Sequence, residues 1–303
     1  MGLQHILGII FAIIVLGLLG VYYFAPFDRL EFTSNPPNYN FSLDSQVSLD
    51  NIQFYSNMRF PSKYISYKLS NCPLQKQNDI EYAIEIIENL TILDFYPVVS
   101  DEDLSVSCNE TMRYEGNMFV AGEGGPGQII QSGKYYVIVK AKVLLIRESN
   151  CERPNIAIHE IFHALGFSHS NNENNIMYNY THCKQIIGDE IPQLINELYA
   201  IPSSPNLIIE NASAIINGRY LDINISVRNV GLGDSRKAHI YVKGGESVIR
   251  EIDLKELGVG NGVMVGVGNL WVNKGIESLE LFIDYPNEEL NKTDNNLYLE
   301  LKE

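Results

Sequence analysis

The sequence predicts three parts: an apolar N-terminal helix, an α+β domain, and an all-β sandwich at the C-terminus. Three observations lead to this fold class. Residues 6–24 form an uncharged apolar run. Residues 51–201 combine apolar residues at helical spacing with short runs of β-branched and aromatic residues. Residues 206–303 contain strand-like runs that are separated by Gly, Asn and Asp turns, and no helical period persists there.

The apolar run from Ile6 to Phe24 spans 19 residues, which is just long enough to cross a bilayer as a helix. Tyr22 and Tyr23 lie at its end, where aromatic residues often meet the membrane interface. A cleaved signal peptide is the alternative, but the run lacks the charged start and the small-x-small cleavage site of such peptides. We therefore expect a single-pass cell-membrane protein. Residues 1–25 would be its transmembrane anchor and 26–50 an extended stalk, with both folded domains outside the cytoplasm.

The α+β domain is expected to contain an amphipathic helix, a mixed sheet and two further helices. The predicted elements are a helix over 76–93, strands over 104–108, 127–130 and 135–146, a helix over 155–165, and a last helix over 184–199. Pro192 could kink or restart the last helix. The glycine-rich run Ala121 to Gly127 lacks the Gly-Lys-Ser/Thr ending of a phosphate-binding loop, so we expect it to be a mobile loop.

One predicted helix carries a dense set of potential metal ligands. Residues 159–169 read HEIFHALGFSH, and three of the six histidines in the chain lie there. His159 and His163 are four residues apart, so they share one face of the helix. Gly166 can adopt a left-handed backbone that ends the helix and brings His169 back towards the other two. The spacing predicts one catalytic Zn²⁺ held by His159, His163 and His169.

Glu160 is the candidate catalytic residue because it lies beside the first histidine. Three neutral imidazoles leave a fourth zinc position open for water, and a neighbouring carboxylate can take the proton of that water. Two half-buried helix histidines are the alternative explanation of a bare His-Glu-x-x-His. The glycine and the third histidine at fixed offsets favour the metal site.

The extended motif resembles that of the metzincin metalloproteases. Residues 175–178, Asn-Ile-Met-Tyr, resemble the methionine-containing turn that follows the zinc helix in this family. By that resemblance Met177 packs beneath the histidines without binding metal, although a plain core methionine is the alternative. Tyr178, directly after it, is closer to the matrixin branch. The resemblance implies that residues 51–201 are a metzincin-like zinc endopeptidase domain with a mixed sheet, a zinc helix, a Met-turn and a C-terminal helix, acting on a protein or peptide substrate.

The cysteines and the sequons are consistent with an exported protein. Four cysteines allow three pairings; we expect Cys151–Cys183 to bracket the zinc helix and Met-turn, and Cys72–Cys108 to bracket the first helix. Seven Asn-x-Ser/Thr sequons are compatible with a glycoprotein. They begin at Asn40, Asn89, Asn109, Asn179, Asn211, Asn224 and Asn291. The net charge of −15 argues against nucleic acid and anionic membrane surfaces as partners.

The segment 202–205, Pro-Ser-Ser-Pro, predicts a short stiff linker that leaves limited freedom between two independent modules. Beyond it we expect an immunoglobulin-like β-sandwich with Trp271 in its core. The phrases at 227–234 and 284–296 resemble CARDB modules, adhesion-related domains of prokaryotic surface proteins, which implies a surface partner. The Asp and Asn cluster at 284–296 could bind Ca²⁺, or it could be a hairpin loop. The predicted strands are 207–210, 220–229, 239–242, 247–254, 264–272 and 279–285.

Two functions therefore remain open from the sequence. The first is a membrane-anchored zinc endopeptidase with Glu160 as the general base. The second is a catalytically silent surface adhesion or binding protein built on a metzincin-like domain. A silent enzyme would be expected to lose Glu160 or a metal ligand, and none is missing.

Overall fold

The computed structural model describes residues 2–24, 28–37, 52–109, 111, 114–115, 118–148, 151–273 and 275–301. After an N-terminal helix, these residues form an α+β region and then a region of two β-sheets, in the predicted order. The elements up to residue 200 are α1 (Leu3–Phe24), β1 (Arg29–Asn35), β2 (Met58–Arg59), β3 (Tyr64–Ser70), α2 (Leu74–Leu90), β4 (Asp94–Pro97), β5 (Leu104–Cys108), β6 (Tyr114–Glu115), β7 (Met118–Phe119), β8 (Gly122–Ser132), β9 (Tyr135–Leu145), α3 (Asn155–Ala164) and α4 (Glu190–Ala200). The later elements are β10 (Leu207–Asn217), β11 (Tyr220–Asn229), β12 (Ala238–Gly244), β13 (Ser247–Leu254), β14 (Gly262–Trp271), β15 (Ser278–Asp284) and β16 (Asn296–Glu300).

The α+β region is built on a six-stranded mixed sheet, as predicted. Its strands follow the order β2-β9-β5-β3-β4, and β8 joins as an antiparallel partner of β9. The first predicted helix is confirmed as α2, whose apolar face of Ile80, Ala83, Ile84 and Ile87 is buried in the same core as the sheet. This core also receives α3, which packs against α2, β8 and β9.

Two predictions in this region are wrong in detail. The glycine-rich run at 121–127 is not a mobile loop, because residues from Gly122 onward belong to β8 and pair with β9. The last helix begins at Glu190 rather than at residue 184. Pro192 then lies in the first turn, where a missing N–H costs no intrahelical hydrogen bond, so it does not kink the helix.

The structure changes the description of the N-terminal segment. Residues Leu3–Phe24 are helical, but judged by length and hydropathy none of the helices in the described part of the chain qualifies as a membrane span. The predicted transmembrane anchor is therefore not supported. Part of the predicted stalk is not a free linker either, because Arg29–Asn35 pairs with Gly262–Gly268 of β14 through backbone hydrogen bonds. Residues 38–50 of that stalk, which include the sequon at Asn40, lie outside the described residues.

The C-terminal region is a β-sandwich of two four-stranded sheets, with the orders β1-β14-β11-β10 and β13-β12-β15-β16. Alternating apolar side chains such as Leu221, Ile223, Ile225 and Val227 of β11 fill the space between the sheets. All six strands predicted here are present. β1 and β16 were not predicted. Trp271 is wrongly expected in the core: its side chain is 52% exposed, and Arg219 lies over its ring.

The Asp and Asn cluster at 284–296 makes hydrogen bonds to the residues that directly follow the linker. The backbone N–H of Leu207 donates to Glu289, and the side-chain amide of Asn206 donates to Asp294 at 3.0 Å. The side-chain amide of Asn295 donates to the same Glu289 at 2.8 Å. These contacts give the cluster a structural role. The Ca²⁺ site remains a prediction.

Two further groups of contacts lie at the linker and at the boundary between the regions. The buried guanidinium of Arg59 donates to the backbone oxygens of Leu198 and Ile201 and stacks on Tyr199, which fixes the start of the linker. At the turn between β8 and β9, the hydroxyl of Ser132 donates to the Gly231 carbonyl at 2.6 Å. Ile130, Tyr135 and Val137 pack there against Leu232 of the sandwich. The two regions are therefore packed against each other, which limits the freedom that the linker alone would allow.

This packing leads to a stability prediction. Leu232 is fully buried between the two regions, so Leu232→Ala is expected to lower the free energy of unfolding by about 2–5 kcal/mol. Denaturant unfolding checks this, with Val248→Ala as the control because Val248 is 54% exposed. The control should change stability by less than about 0.5 kcal/mol. Equal, small effects of the two changes would mean that the packing contributes little in solution.

Candidate metal centre

The site is built on α3, a short helix whose side chains are almost all buried. His159 and His163 lie on one face of this helix, and their imidazoles are each about 5–6% exposed. The Nε2 atom of His163 lies 2.9 Å from Nε2 of His159 and 3.1 Å from Nε2 of His169. The ligand atoms of all three residues lie within 4.8 Å of one another. The three predicted ligands are thus brought together, with the same ring nitrogens pointing inwards.

The backbone holds two of these rings in a defined orientation. Nδ1 of His159 lies 2.7 Å from the Ile176 carbonyl oxygen, and Nδ1 of His163 lies 2.7 Å from the Phe167 carbonyl oxygen. A carbonyl can only accept, so each Nδ1 carries the proton and each Nε2 keeps a free lone pair. This pattern is typical of metal-binding histidines. Sequence motifs cannot show these carbonyls, because any residue type supplies one.

Gly166 ends the helix in the predicted way. Its φ of +98° is in the range that side-chain-bearing residues rarely adopt. Its N–H donates to the His163 carbonyl, and the N–H of Phe167 donates to that of Phe162. A Cβ at this position would also lie 2.6 Å from the sulfur of Met58. The turn and the close packing both require glycine, and together they return the chain so that His169 reaches the other histidines.

Burial keeps the histidines in the form that binds metal. Desolvation lowers the pKa of His159 to about 4 and that of His163 to about 3, and it also lowers the pKa of His169. All three imidazoles are therefore neutral at neutral pH. Since a metal ligand must be unprotonated, no proton has to be displaced before a cation binds.

Glu160 lies in the same helix and is about 6% exposed. Burial, with a smaller contribution from the negative charge of Glu123, raises the pKa of Glu160 to about 8. A raised pKa makes the ionised carboxylate a stronger base, and only this ionised form can accept a proton. The side chain faces Gly122 of β8, where an added Cβ would lie 2.8 Å from the carboxylate Oε1. Sequence analysis missed this neighbour because it placed Gly122 in a loop.

The segment after the third histidine is tied directly to the site. Met177 is about 1% exposed, and its neighbour Ile176 supplies the carbonyl that orients His159. Asn175, which sequence analysis did not single out, is also buried. Its side-chain oxygen accepts the Met177 N–H at 2.8 Å, and its amide donates to Glu190 at 2.6 Å. Asparagine often bonds its own backbone two residues on, so this role was available from residue type.

The donor set fits zinc. Three neutral imidazole nitrogens converge, two of them oriented by carbonyls, and a fourth ligand position is left for water, as in catalytic zinc sites. The described residues include one other group that could hold a cation, His239, Glu251 and Asp253 on β12 and β13. The two carboxylates there are exposed, and both lie within ion-pair distance of the imidazole. The buried histidine group is the better candidate.

Both predicted disulfides are present. Cys72 bonds Cys108, and Cys151 bonds Cys183. The second bond brackets α3, Gly166, His169 and Met177, so the whole candidate centre lies within one covalently closed loop.

One family of known proteins matches this region. The matrixin family, Peptidase_M10, matches residues 59–200, a segment that contains the three histidines, Glu160 and Met177. No match was found among curated proteins. Among solved structures, myroilysin is similar at 18% identity with a TM-score of 0.26, covering 38% of this chain and 53% of that one.

Two further solved structures align with about a third of this chain. A domain of a cell surface protein from Methanosarcina acetivorans aligns at 19% identity with a TM-score of 0.29, covering 33% of this chain and 94% of that one. The CARDB domain of a Pyrococcus furiosus protein, solved with two metal ions, aligns at 15% identity with a TM-score of 0.27, covering 33% and 90%. These low scores carry no conclusion about function. The family match over residues 59–200 confirms that this region has the predicted resemblance to the matrixins.

Proposed function

We propose that this chain is a zinc endopeptidase that acts outside the cytoplasm. One observation carries the proposal: three histidine Nε2 atoms converge within 4.8 Å on the helix and turn that also position Glu160. The family match over residues 59–200 supports the same reaction class. Two disulfides support an oxidising compartment.

The proposed roles follow from the chemistry of each group. His159, His163 and His169 would hold the zinc ion, which supplies a Lewis acid and lowers the pKa of water at the site. Glu160 accepts a proton from the attacking water and passes it to the nitrogen of the scissile amide, which leaves as an amine. The new C–O bond forms first, and the C–N bond breaks after the nitrogen has received the proton. Burial of Glu160 keeps bulk water away from this transfer.

An extended peptide is the substrate that the sheet best accommodates. Among the described strands, β8 pairs with β9 alone, so its other edge has no strand partner. Backbone N–H and C=O groups on such an edge can pair with an added strand. Gly122 places this edge beside Glu160. We infer that the substrate binds along β8, which would bring its backbone close to the base.

The test measures metal content and turnover in the same preparation of the full chain. We expect one zinc per chain and hydrolysis of casein, loss of hydrolysis with a chelator, and recovery when zinc is restored. Protein that binds zinc but cleaves neither casein nor a peptide library would support the alternative, a catalytically silent binding protein. Protein that binds no zinc would refute both the metal site and the enzyme.

The Cys151–Cys183 bond should matter to the metal site as well as to stability. Its 32-residue separation is close to the 36 residues of Cys72–Cys108, so replacing either pair with serine is expected to cost about 2–4 kcal/mol of folding free energy. The Cys151→Ser, Cys183→Ser variant should in addition bind zinc more weakly, because only that loop contains the ligands. Thermal unfolding and competition with a zinc chelator separate the two effects. Equal zinc affinities in the two double variants would contradict this role.

A further inference from the structure

The edge strand β8 approaches α3 most closely at the residue proposed as the base. A Cβ added to Gly122 would lie 2.7 Å from Cγ and 2.8 Å from Oε1 of Glu160. A Cβ added to Gly124 would overlap the Glu160 carbonyl oxygen and lie 2.8 Å from its Cα. Real Cβ atoms do not approach other atoms this closely, so two glycines let the strand rest against both the side chain and the backbone of one residue.

Neither glycine is required by its backbone conformation. The positive-φ glycines are other residues, among them Gly133 and Gly166, so Gly122 and Gly124 have no left-handed backbone to explain them. Glycine also weakens a strand interior, since it adds flexibility and no packing. The register shifts of β8 lie at residues 126–129, so a bulge does not explain these two glycines either. Close approach of a ligand or of another part of the chain is a further reason for glycine in a strand. What approaches here is Glu160.

A third glycine of the same strand lacks this contact. A Cβ added to Gly127 would meet its nearest atom, the Lys140 carbonyl oxygen, at 3.5 Å, which is an ordinary van der Waals distance. The close approach is therefore confined to the part of β8 that faces Glu160. Gly127 provides a control in the same strand: it lies at the register shift between Pro126 and Gln128 and lacks the contact with Glu160.

We propose that Gly122 and Gly124 are positioning residues for the reaction, which set where the Glu160 carboxylate lies between α3 and the edge strand. Gly124 fixes the distance between the strand and the helix backbone, and Gly122 leaves the space that the carboxylate occupies. The inference rests on the proposed role of Glu160 as general base. It adds a second requirement for activity, since the carboxylate must have this space as well as the correct residue type.

The decisive variant is Gly122→Ala, because its methyl group would meet a side chain that can move rather than a backbone that cannot. Displacing a catalytic group by about 1 Å can lower the rate by about 10²-fold. In the zinc-loaded full chain we expect Gly122→Ala to lower kcat by about 10- to 100-fold. The KM, the zinc content and the unfolding midpoint should stay close to those of the unaltered chain. The control, Gly127→Ala, should keep kcat within about twofold.

A second measurement tests the contact itself. Glu160→Ala removes Cγ, Cδ and Oε1, the three atoms that the new methyl group would meet. In that background Gly122→Ala should change the residual kcat by less than about twofold, which is the non-additivity expected of two residues in contact. An equal loss in both backgrounds would mean that the methyl group acts elsewhere, and would overturn the inference.

The outcomes separate this inference from the proposed function. Equal kcat values for Gly122→Ala and Gly127→Ala would overturn the positioning role. So would a Gly122→Ala protein that loses zinc or unfolds, because the glycine would then be structural. If Glu160→Gln cleaves casein at the unaltered rate, the proposed function fails instead, whatever the glycine variants show.

Discussion

Replacing Glu160 with glutamine is expected to lower kcat by about 10²–10⁴-fold, the usual contribution of general acid–base catalysis. The amide has nearly the same shape as the carboxylate but cannot take up a proton at neutral pH. None of the three converging nitrogens belongs to Glu160, so the zinc content should not change. Steady-state kinetics on a fluorogenic peptide and metal analysis of the same sample measure both quantities.

The matched control is Glu85→Gln on α2, which makes the same chemical change at an exposed helical position. Its kcat should stay within about twofold of the unaltered chain. A Glu160→Gln protein as active as this control would rule out Glu160 as the base. A Glu160→Gln protein that has lost zinc would show instead that the side chain supports the metal site.

Replacing His163 with alanine should abolish both zinc binding and hydrolysis. His163 is the central ligand, since its Nε2 lies within 3.1 Å of the Nε2 atoms of both other histidines. Loss of a residue that only orients a ligand typically weakens metal affinity by 10- to 100-fold. Loss of one ligand out of three should therefore cost more than about 100-fold. Equilibrium dialysis against a zinc buffer measures the affinity, and circular dichroism checks the fold.

His239→Ala is the control for this experiment, because His239 belongs to the other group that could hold a cation. The His239→Ala protein should keep one zinc and its full rate. The prediction fails if His163→Ala retains the zinc of the unaltered chain. If both variants lose zinc, the chain holds two metal ions that depend on each other.

The convergence of the three histidines could be predicted from the sequence because the residues that determine it lie close together in the chain. His159, Glu160 and His163 lie within two turns of one helix, and Gly166 and His169 follow within six residues of His163. Helix periodicity and glycine conformation then fix their relative positions. The positions of α2, β5, β9 and α3 in the chain could be predicted for the same reason, because each element has its own local pattern of apolar residues.

The features that were missed depend on contacts between distant parts of the chain. The glycines of β8 look like a loop when they are considered alone, because their reason is α3, which begins more than twenty residues later. Trp271 sits in a strand-like run whose exposed side cannot be read from residue type. The membrane anchor was inferred from the length and apolar composition of residues 6–24, from the tyrosines at their end and from the absence of signal-peptide features, and the structure does not support it. Periodicity predicts which elements form, but it does not show which surfaces of those elements meet.

The pairing of β1 with β14 means that the sandwich is discontinuous in the chain: its first strand ends at Asn35, and the partner strand begins at Gly262. Before β1 can pair with β14, the two ends of the segment between them must come close together. The entropic cost of closing such a loop grows with its length. Folding of the intervening α+β region shortens the effective loop, so we expect β1 to join last. During synthesis β1 has no partner until β14 has been made, and the edge of β14 then stays unpaired until β1 joins it. An unpaired edge can accept a strand from another molecule. At high protein concentration during refolding, we therefore expect domain-swapped dimers, in which β1 of each chain pairs with β14 of the other chain.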